Sequence, residues 1–428
     1  MYQPVAVIEV RIWDQQVGAV TLDPTSGYYI FEYASSWRRR GVELAPLTMP
    51  VANGPYVFPL LPAETYQRLP ALLADCLPDR FGNALVDAYL AREGVAAAQI
   101  TALDRLAYMA TRGMGALEFR PTRGPRKFKA TAVEIATLVE GARSALAGQF
   151  DGDAQTQAAI ANLIQVGTSA GGARAKAVIA WNRTTNEIRS GQLPADEGFE
   201  YYLLKFDGVG KDFALGTGAN YGRIEYAYHL MARTAGIDMT DCSLLEESGR
   251  AHFMTKRYDR VAGKKVHAQT LCAMAHLDFN QIGTHDYSQY FLTINQLKLG
   301  SDALAEGFRR MVFNCLAGNN DDHTKNLSFL LPEGGQWQLA PAYDVTHAYN
   351  PESKWTRAHL MGVNGKFESI TLADMQAVGD RFLVPGYNDI IRDVSDAVAR
   401  WPEFATAANV PHADTLEIGE LIGTLAVF

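Results

Sequence analysis

The chain has 428 residues, 48% apolar, 20% charged and 10% aromatic, which is folded-protein composition with core material for roughly two to four structural units. Its 47 acidic residues against 39 basic ones leave a net charge of −8, which disfavours holding a nucleic-acid backbone unaided. The start lacks a basic, apolar leader, no apolar run reaches membrane-spanning length, and Cys76, Cys242, Cys272 and Cys315 form no Cys-x-x-Cys pair. A cytoplasmic protein with reduced thiols and no membrane contact is expected.

Residues 5–12, 17–22 and 28–33 alternate apolar and polar and predict three β-strands. Residues 72–90 have helical spacing interrupted at Pro78, and a second helix is expected over 100–110. Arg112-Gly-Met-Gly115 reads as a turn into a strand ending at Phe119. The basic clusters at 37–40 and 120–129 read as solvated loops, the second as a domain boundary. Helices are expected over 131–149 and 154–165, strands over 175–181, 201–206 and 253–260, and a helix over 225–235 ending near Gly236. From about residue 285 the pattern is mostly helical, apart from a hairpin at 327–339.

Asp321-Asp-His-Thr-Lys-Asn326 is the most informative stretch, a polar loop between the helical run 308–316 and the strand-like 327–331. It sets a carboxylate and an amide five residues apart. Protein kinases use that spacing, the Asp orienting or deprotonating the attacking hydroxyl and the Asn holding magnesium. An ordinary turn has the same composition, so the weight falls on whether the other parts of a phosphoryl-transfer site appear in order. They do. Gly167-Thr-Ser-Ala-Gly-Gly-Ala173 is a small-residue turn, Lys205 stands inside the apolar Tyr-Tyr-Leu-Leu-Lys-Phe strand, and Glu225 opens the expected helix as its partner. Asp344 follows the hairpin at the close of a strand, where a second metal-binding acid belongs. Gly208-Val-Gly-Lys211 is no Walker loop, because Lys205 stands where the first Gly should be and Asp212 replaces the Ser/Thr.

These ordered motifs resemble the HipA family of bacterial serine/threonine kinase toxins. The resemblance is carried by residues 167–177, Tyr202-Leu-Leu-Lys205, Arg257-Tyr-Asp-Arg260, the Asp-x-His-x-Lys-Asn loop and Leu339-Ala-Pro-Ala-Tyr-Asp344, with Phe31-Glu-Tyr33, Leu77-Pro-Asp-Arg80 and Arg112-Gly-Met-Gly115 matching the family's N-terminal subdomain. It implies an α+β, two-lobed, protein-kinase-like fold: a β-rich N-terminal subdomain (1–125), an N-lobe with the Gly-rich loop and lysine (126–260), and a mostly α-helical catalytic C-terminal lobe (261–428). It also implies ATP- and Mg2+-dependent phosphorylation of a protein serine, aminoacyl-tRNA synthetases being known targets, and a DNA-binding antitoxin partner. Position by position, it makes Asp321 catalytic and sets Lys205 on the nucleotide phosphates, with Asn326 and Asp344 on magnesium. Gly171, Gly172 and His323 become further nucleotide contacts, Lys256 to Tyr258 the hinge meeting adenine through its backbone, and Ser169 the autophosphorylation site.

The chain departs from the family at Gly171 and Arg174 in the loop, at Lys256 where a hinge glutamate is usual, and at Asp322 where a glycine is usual. Asp322 adds negative charge beside Asp321, and the Asp-to-Asn spacing favours Asp321 as the base. Two other readings stand beside the kinase. One is a catalytically weak ATP-binding module acting with an antitoxin in repression. The other is a metal nuclease built on Asp321, Asp322, His323 and Asp344.

Overall fold

A computed structural model of the chain describes residues 2–125, 134–146, 158, 161–164, 174–192, 196–209 and 220–425. The chain divides into two compact units. The first gathers residues 1–210, 256–269 and 330–335, and the second 211–255, 270–329 and 336–428.

The first unit begins with an antiparallel sheet in the spatial order β4-β3-β2-β1-β5, formed by β1 (Val7–Ile12), β2 (Gln15–Leu22), β3 (Tyr29–Tyr33), β4 (Pro55–Tyr56) and β5 (Glu118–Arg120). Alternation works as the sequence implies: Ile8, Val10 and Ile12 are wholly buried. Gly18 is required where β2 crosses β3, since a Cβ there would stand 2.2 Å from the Glu32 carbonyl oxygen. The helical stretch 72–90 is two helices, Ala71–Ala74 and Arg80–Ala91, and after Pro78 the Asp79 carboxylate caps the second by accepting from the Gly82 N–H at 2.6 Å. Thr101 and Asp104 form a capping box on the helix Ala102–Met109. Of the strand expected over 112–119, only Glu118 to Arg120 pairs, because Gly113 and Gly115 carry the chain through a turn held by side chains from residues 257–260. Later in this unit β6 (Lys176–Asn182) is flanked by β7 (Glu187–Ser190) and β8 (Glu200–Lys205).

The second unit starts with the helix Tyr221–Thr234 and a tight hairpin of β9 (Cys242–Glu247) and β10 (Arg250–Lys256). Ser248 and Gly249 turn it with φ of 48° and 79°, as a two-residue hairpin demands. Gly222 lets helix and hairpin meet, since its Cβ would fall 1.9 Å from the Ala251 carbonyl oxygen. The expected strand over 253–260 ends at Lys256, because Arg257 and Asp259 turn inward to make buried ion pairs. The core is helical. Helix Ser301–Leu316 buries Phe308, Met311, Val312, Phe313 and Leu316, and Tyr387 of helix Tyr387–Ala399 packs edge-on against Phe308. Trp401 packs against Tyr228 with ring centroids 5.3 Å apart.

The mostly helical expectation from residue 285 fails over 340–371. That stretch holds one short strand, Met361–Gly362, among turns, because its carbonyls, amides and polar side chains are committed to the polar loop at 319–326. All four cysteines are buried and none forms a disulfide. No helix among the described residues is long and apolar enough to cross a membrane.

Candidate active site

Helix Ser301–Leu316 delivers the chain into the polar loop, and Gly318, at φ 64°, turns it off the helix axis. The Tyr228 hydroxyl donates to the Ala317 carbonyl at 2.6 Å, and the Ala348 N–H donates to that of Gly318 at 3.1 Å. A short 3-10 turn, Thr324–Asn326, then hands the chain to the strand Ser328–Leu331. The Thr324 hydroxyl holds this turn by donating to the Leu277 carbonyl at 2.7 Å.

The two adjacent aspartates have opposite environments. The Asp321 side chain is 38% exposed, with His323 Nε2 3.8 Å from its Oδ1. Asp322 is fully buried. Its Oδ2 accepts from the Tyr287 hydroxyl at 3.0 Å and lies 3.1 Å from His359 Nδ1, while its Oδ1 accepts from the N–H groups of Leu360 (2.8 Å) and Met361 (3.3 Å). The chain extends inward, Asn314 Nδ2 donating to the Tyr287 oxygen at 2.8 Å and Asn319 Nδ2 to Asn314 Oδ1 at 2.9 Å. Asp322 is therefore an internal anchor and not a rival base, which corrects the expectation that it mainly adds charge beside Asp321. Among the described residues no group of three His, Cys, Asp or Glu side chains is placed to hold a metal.

Asp322→Asn removes the charge and turns one carboxylate oxygen into an NH2: with the amide oxygen kept on the Leu360 and Met361 N–H groups, the nitrogen faces the Tyr287 hydroxyl, which donates to that position in the wild type. It is expected to lower the unfolding free energy by about 2–3 kcal/mol. Urea denaturation measures this, with Asp321→Asn as the control, expected within about 0.5 kcal/mol of wild type because its side chain is surface-accessible.

Asn326 Nδ2 donates to the Asp321 carbonyl at 2.7 Å, which closes the loop on itself and commits the amide nitrogen, so Oδ1 is the atom left for a cation. The Tyr343 hydroxyl joins the next segment to this loop by donating to the Lys325 carbonyl at 2.6 Å and meeting Ser328 Oγ at 2.5 Å. Asp344 follows it. The strand expected to end there stops at Leu339, and Asp344 sits in the left-handed region at φ 54°. Asn326 and Asp344 line one small cavity together with Arg310, Asn319 and Asp322. Two buried polar atoms of that lining, Arg310 Nη2 and Asn319 Oδ1, have no partner within the described residues, so the cavity suits water or a polar ligand. An amide oxygen and a carboxylate suit magnesium, which takes one or two protein oxygens and leaves its other positions to water and phosphate.

The remaining candidates lie elsewhere. Ser169, Gly171 and Gly172 fall outside the described residues. Lys205 ends β8 in the first unit, directly opposite Lys176 of β6. Two lysines opposed across a ladder repel. Here Lys176 is buried and its charge is met by Asp79, with Nζ 3.0 Å from Oδ2, so the Leu-Pro-Asp-Arg segment neutralises one of the pair. Lys256, where the family's glutamate is missing, pairs with Glu200, whose Oε2 accepts from the Tyr202 hydroxyl at 2.8 Å. Glu225 lies a turn inside the helix Tyr221–Thr234, not at its start, and is buried.

Around the hinge, Asp259 joins two motifs. It takes Arg257 on Oδ2 at 2.7 Å, Arg260 on Oδ2 at 2.8 Å and the Gly115 N–H at 2.6 Å, while Arg257 and Arg260 also donate to the Gly113 carbonyl. Burial alone would raise the Asp259 pKa, but Arg257 and Arg260 overcome it and hold it near 2 against an ordinary 3.8.

Two family profiles match the chain: HipA N-terminal domain over residues 8–120 and HipA-like C-terminal domain over 168–401. Two curated relatives, both named only provisionally as kinases, are Y4dM of Sinorhizobium fredii, 29% identical, and a Haemophilus influenzae protein, 30% identical. Each alignment takes in 28% of the chain and no more than 32% and 39%, respectively, of the relative. Among solved structures, HipA from a Shewanella oneidensis toxin–antitoxin system, in complex with HipB and operator DNA, superposes with a TM-score of 0.63 at 16% identity. That match covers 98% of this chain and 96% of the other, and shows a shared mixed α and β fold.

Proposed function

We propose, from the premise that this chain belongs to the HipA family, that it is an ATP- and Mg2+-dependent serine/threonine protein kinase acting as the toxin of a toxin–antitoxin pair. The observation that carries this reading is the loop itself: an accessible Asp321 whose own carbonyl is clamped by Asn326, with Asn326 and Asp344 on one cavity. Asp321 accepts the proton of the incoming hydroxyl and orients that oxygen, while Asp322 keeps the loop from drifting. Asn326 Oδ1 and the Asp344 carboxylate hold magnesium, and Lys205 meets nucleotide phosphate. Bound ATP–magnesium supplies the transferable phosphoryl group and the charge neutralisation its transfer needs. The backbone of Lys256 to Tyr258 takes adenine, and His323 completes the nucleotide contacts. By the family resemblance, Gly171 and Gly172 are assigned to the nucleotide phosphates and Ser169 to autophosphorylation, all three lying outside the described residues.

In this reading the protein target is an aminoacyl-tRNA synthetase, as the family resemblance implies, and the partner is a DNA-binding antitoxin, which the Shewanella HipA–HipB–operator complex supports. Asn326→Ala is expected to lower Mg2+-dependent ATP consumption on the order of a hundredfold, through loss of a metal-held charge at the reacting phosphate. Coupled measurement of ADP release over a magnesium titration checks this. ATP turnover that Asn326→Ala leaves untouched contradicts the metal assignment.

A further inference from the structure

We propose that residues 350–358 form a substrate-docking strap beside Asp321 that selects a phosphoacceptor segment rich in acidic residues. This rests on the kinase reading of the same loop. The two neighbours of Asp321 both reach into one stretch of chain. Asn320 Nδ2 donates to the Thr356 carbonyl at 3.1 Å, and Asp322 takes the N–H groups of Leu360 and Met361 together with His359. Asn320 and Asp322 are buried, so Asp321 is the accessible side chain of the three. The Thr356 backbone therefore lies within about 10 Å of that of Asp321, the reach of one asparagine side chain and one peptide step.

The strap is braced internally. The Asn350 N–H donates to the Thr356 carbonyl at 3.3 Å, the Arg357 N–H to the Ser353 carbonyl at 3.0 Å, the Trp355 N–H to Ser353 Oγ at 3.2 Å, and the Glu352 N–H to Asn350 Oδ1 at 2.9 Å. Its outward residues are charged: Lys354 and Arg357 are exposed, against one exposed acid, Glu352. Lys354 Nζ lies over the half-buried Trp355 ring at 5.3 Å, and among the described residues neither cation has a carboxylate partner. Other exposed arginines divide: Arg392 and Arg400 each reach an acid, while Arg39 and Arg381 reach none among the described residues. Unpaired surface cations do little for stability, whereas cations beside a reacting carboxylate recruit anionic segments and tighten their encounter at low salt.

The test presents a serine-centred peptide library, with Asp/Glu or Lys/Arg at the flanking positions, to wild type, Lys354→Glu/Arg357→Glu, Arg357→Lys and Asp321→Ala. Wild type is expected to show a KM for acidic peptides about tenfold or more below that for basic ones, weakening with salt. The double reversal removes or inverts that preference with the KM for ATP within about twofold of wild type, and Arg357→Lys retains it. A charge-indifferent wild type, a preference that survives the double reversal, or transfer to the enzyme itself but to no peptide overturns the strap. Absence of any Asp321-dependent transfer, to peptide or to self, instead overturns the kinase reading and removes the strap with it.

Discussion

Phosphoryl transfer by Asp321→Ala is expected to fall by about a thousandfold from wild type, the loss typical when a positioned general base is removed. The side chain is surface-accessible, so the substituted protein should fold as wild type does and bind nucleotide undiminished. The experiment is radiolabel transfer from ATP, under magnesium, to the protein itself and to a cell extract. Wild type that transfers no more label than Asp321→Ala does would sink the kinase reading. Phosphoproteomics of cells expressing the two proteins would then separate substrate identity from activity. Asp322→Ala is the informative contrast. It removes the anchor behind the loop, so any loss of transfer there comes with a loss of stability, and the two aspartates become distinguishable although they are neighbours in sequence.

The second large effect is expected at Asp259. Removing its carboxylate leaves Arg257 and Arg260 with uncompensated charge in a wholly buried site. Asp259→Ala should cost about 3–5 kcal/mol of unfolding free energy. The pH dependence has a definite sign. Because the folded-state pKa is depressed to about 2 from 3.8, the contribution is fully present above about pH 4 and fades as pH falls through 2. Urea midpoints for wild type should therefore drop across that window, and Asp259→Ala should lack this component. If Asp259→Ala is as stable as wild type at neutral pH, the triad is electrostatically neutral for folding.

Much of this architecture is legible locally. Alternation in 7–12, the Thr101–Asp104 capping box, the cap at Asp79 after Pro78 and the apolar face of 301–316 each state their element within a few residues, and the structure follows them. The order of Lys205, Asp321, Asn326 and Asp344 is also visible in the sequence, and it is their order that suggests a kinase set, since kinase parts recur at characteristic intervals. What escapes a sequence reading depends on partners far along the chain. Asp322 looks like a charged neighbour of Asp321 until its contacts with Tyr287, 35 residues earlier, and His359, 37 residues later, are known. No spacing rule connects those positions. Arg257-Tyr-Asp-Arg260 likewise resembles a polar turn, and only its bonds to Gly113 and Gly115, some 144 residues away, show why the strand stops. The irregular stretch 340–371 departs from its helical pattern for the same reason, since its conformation answers to the loop it braces more than to its own propensities.

The discontinuity of the first unit has a consequence for how the protein is made. At ribosomal speeds of roughly 5–20 residues per second, the turn at Gly113 and Gly115 leaves the ribosome roughly seven to thirty seconds before Arg257, Asp259 and Arg260 can reach it. Through that interval the nascent N-terminal sheet has exposed glycine amides and carbonyls and no ion triad to close them. A factor that engages the growing chain at this turn would meet a surface that the finished protein no longer presents.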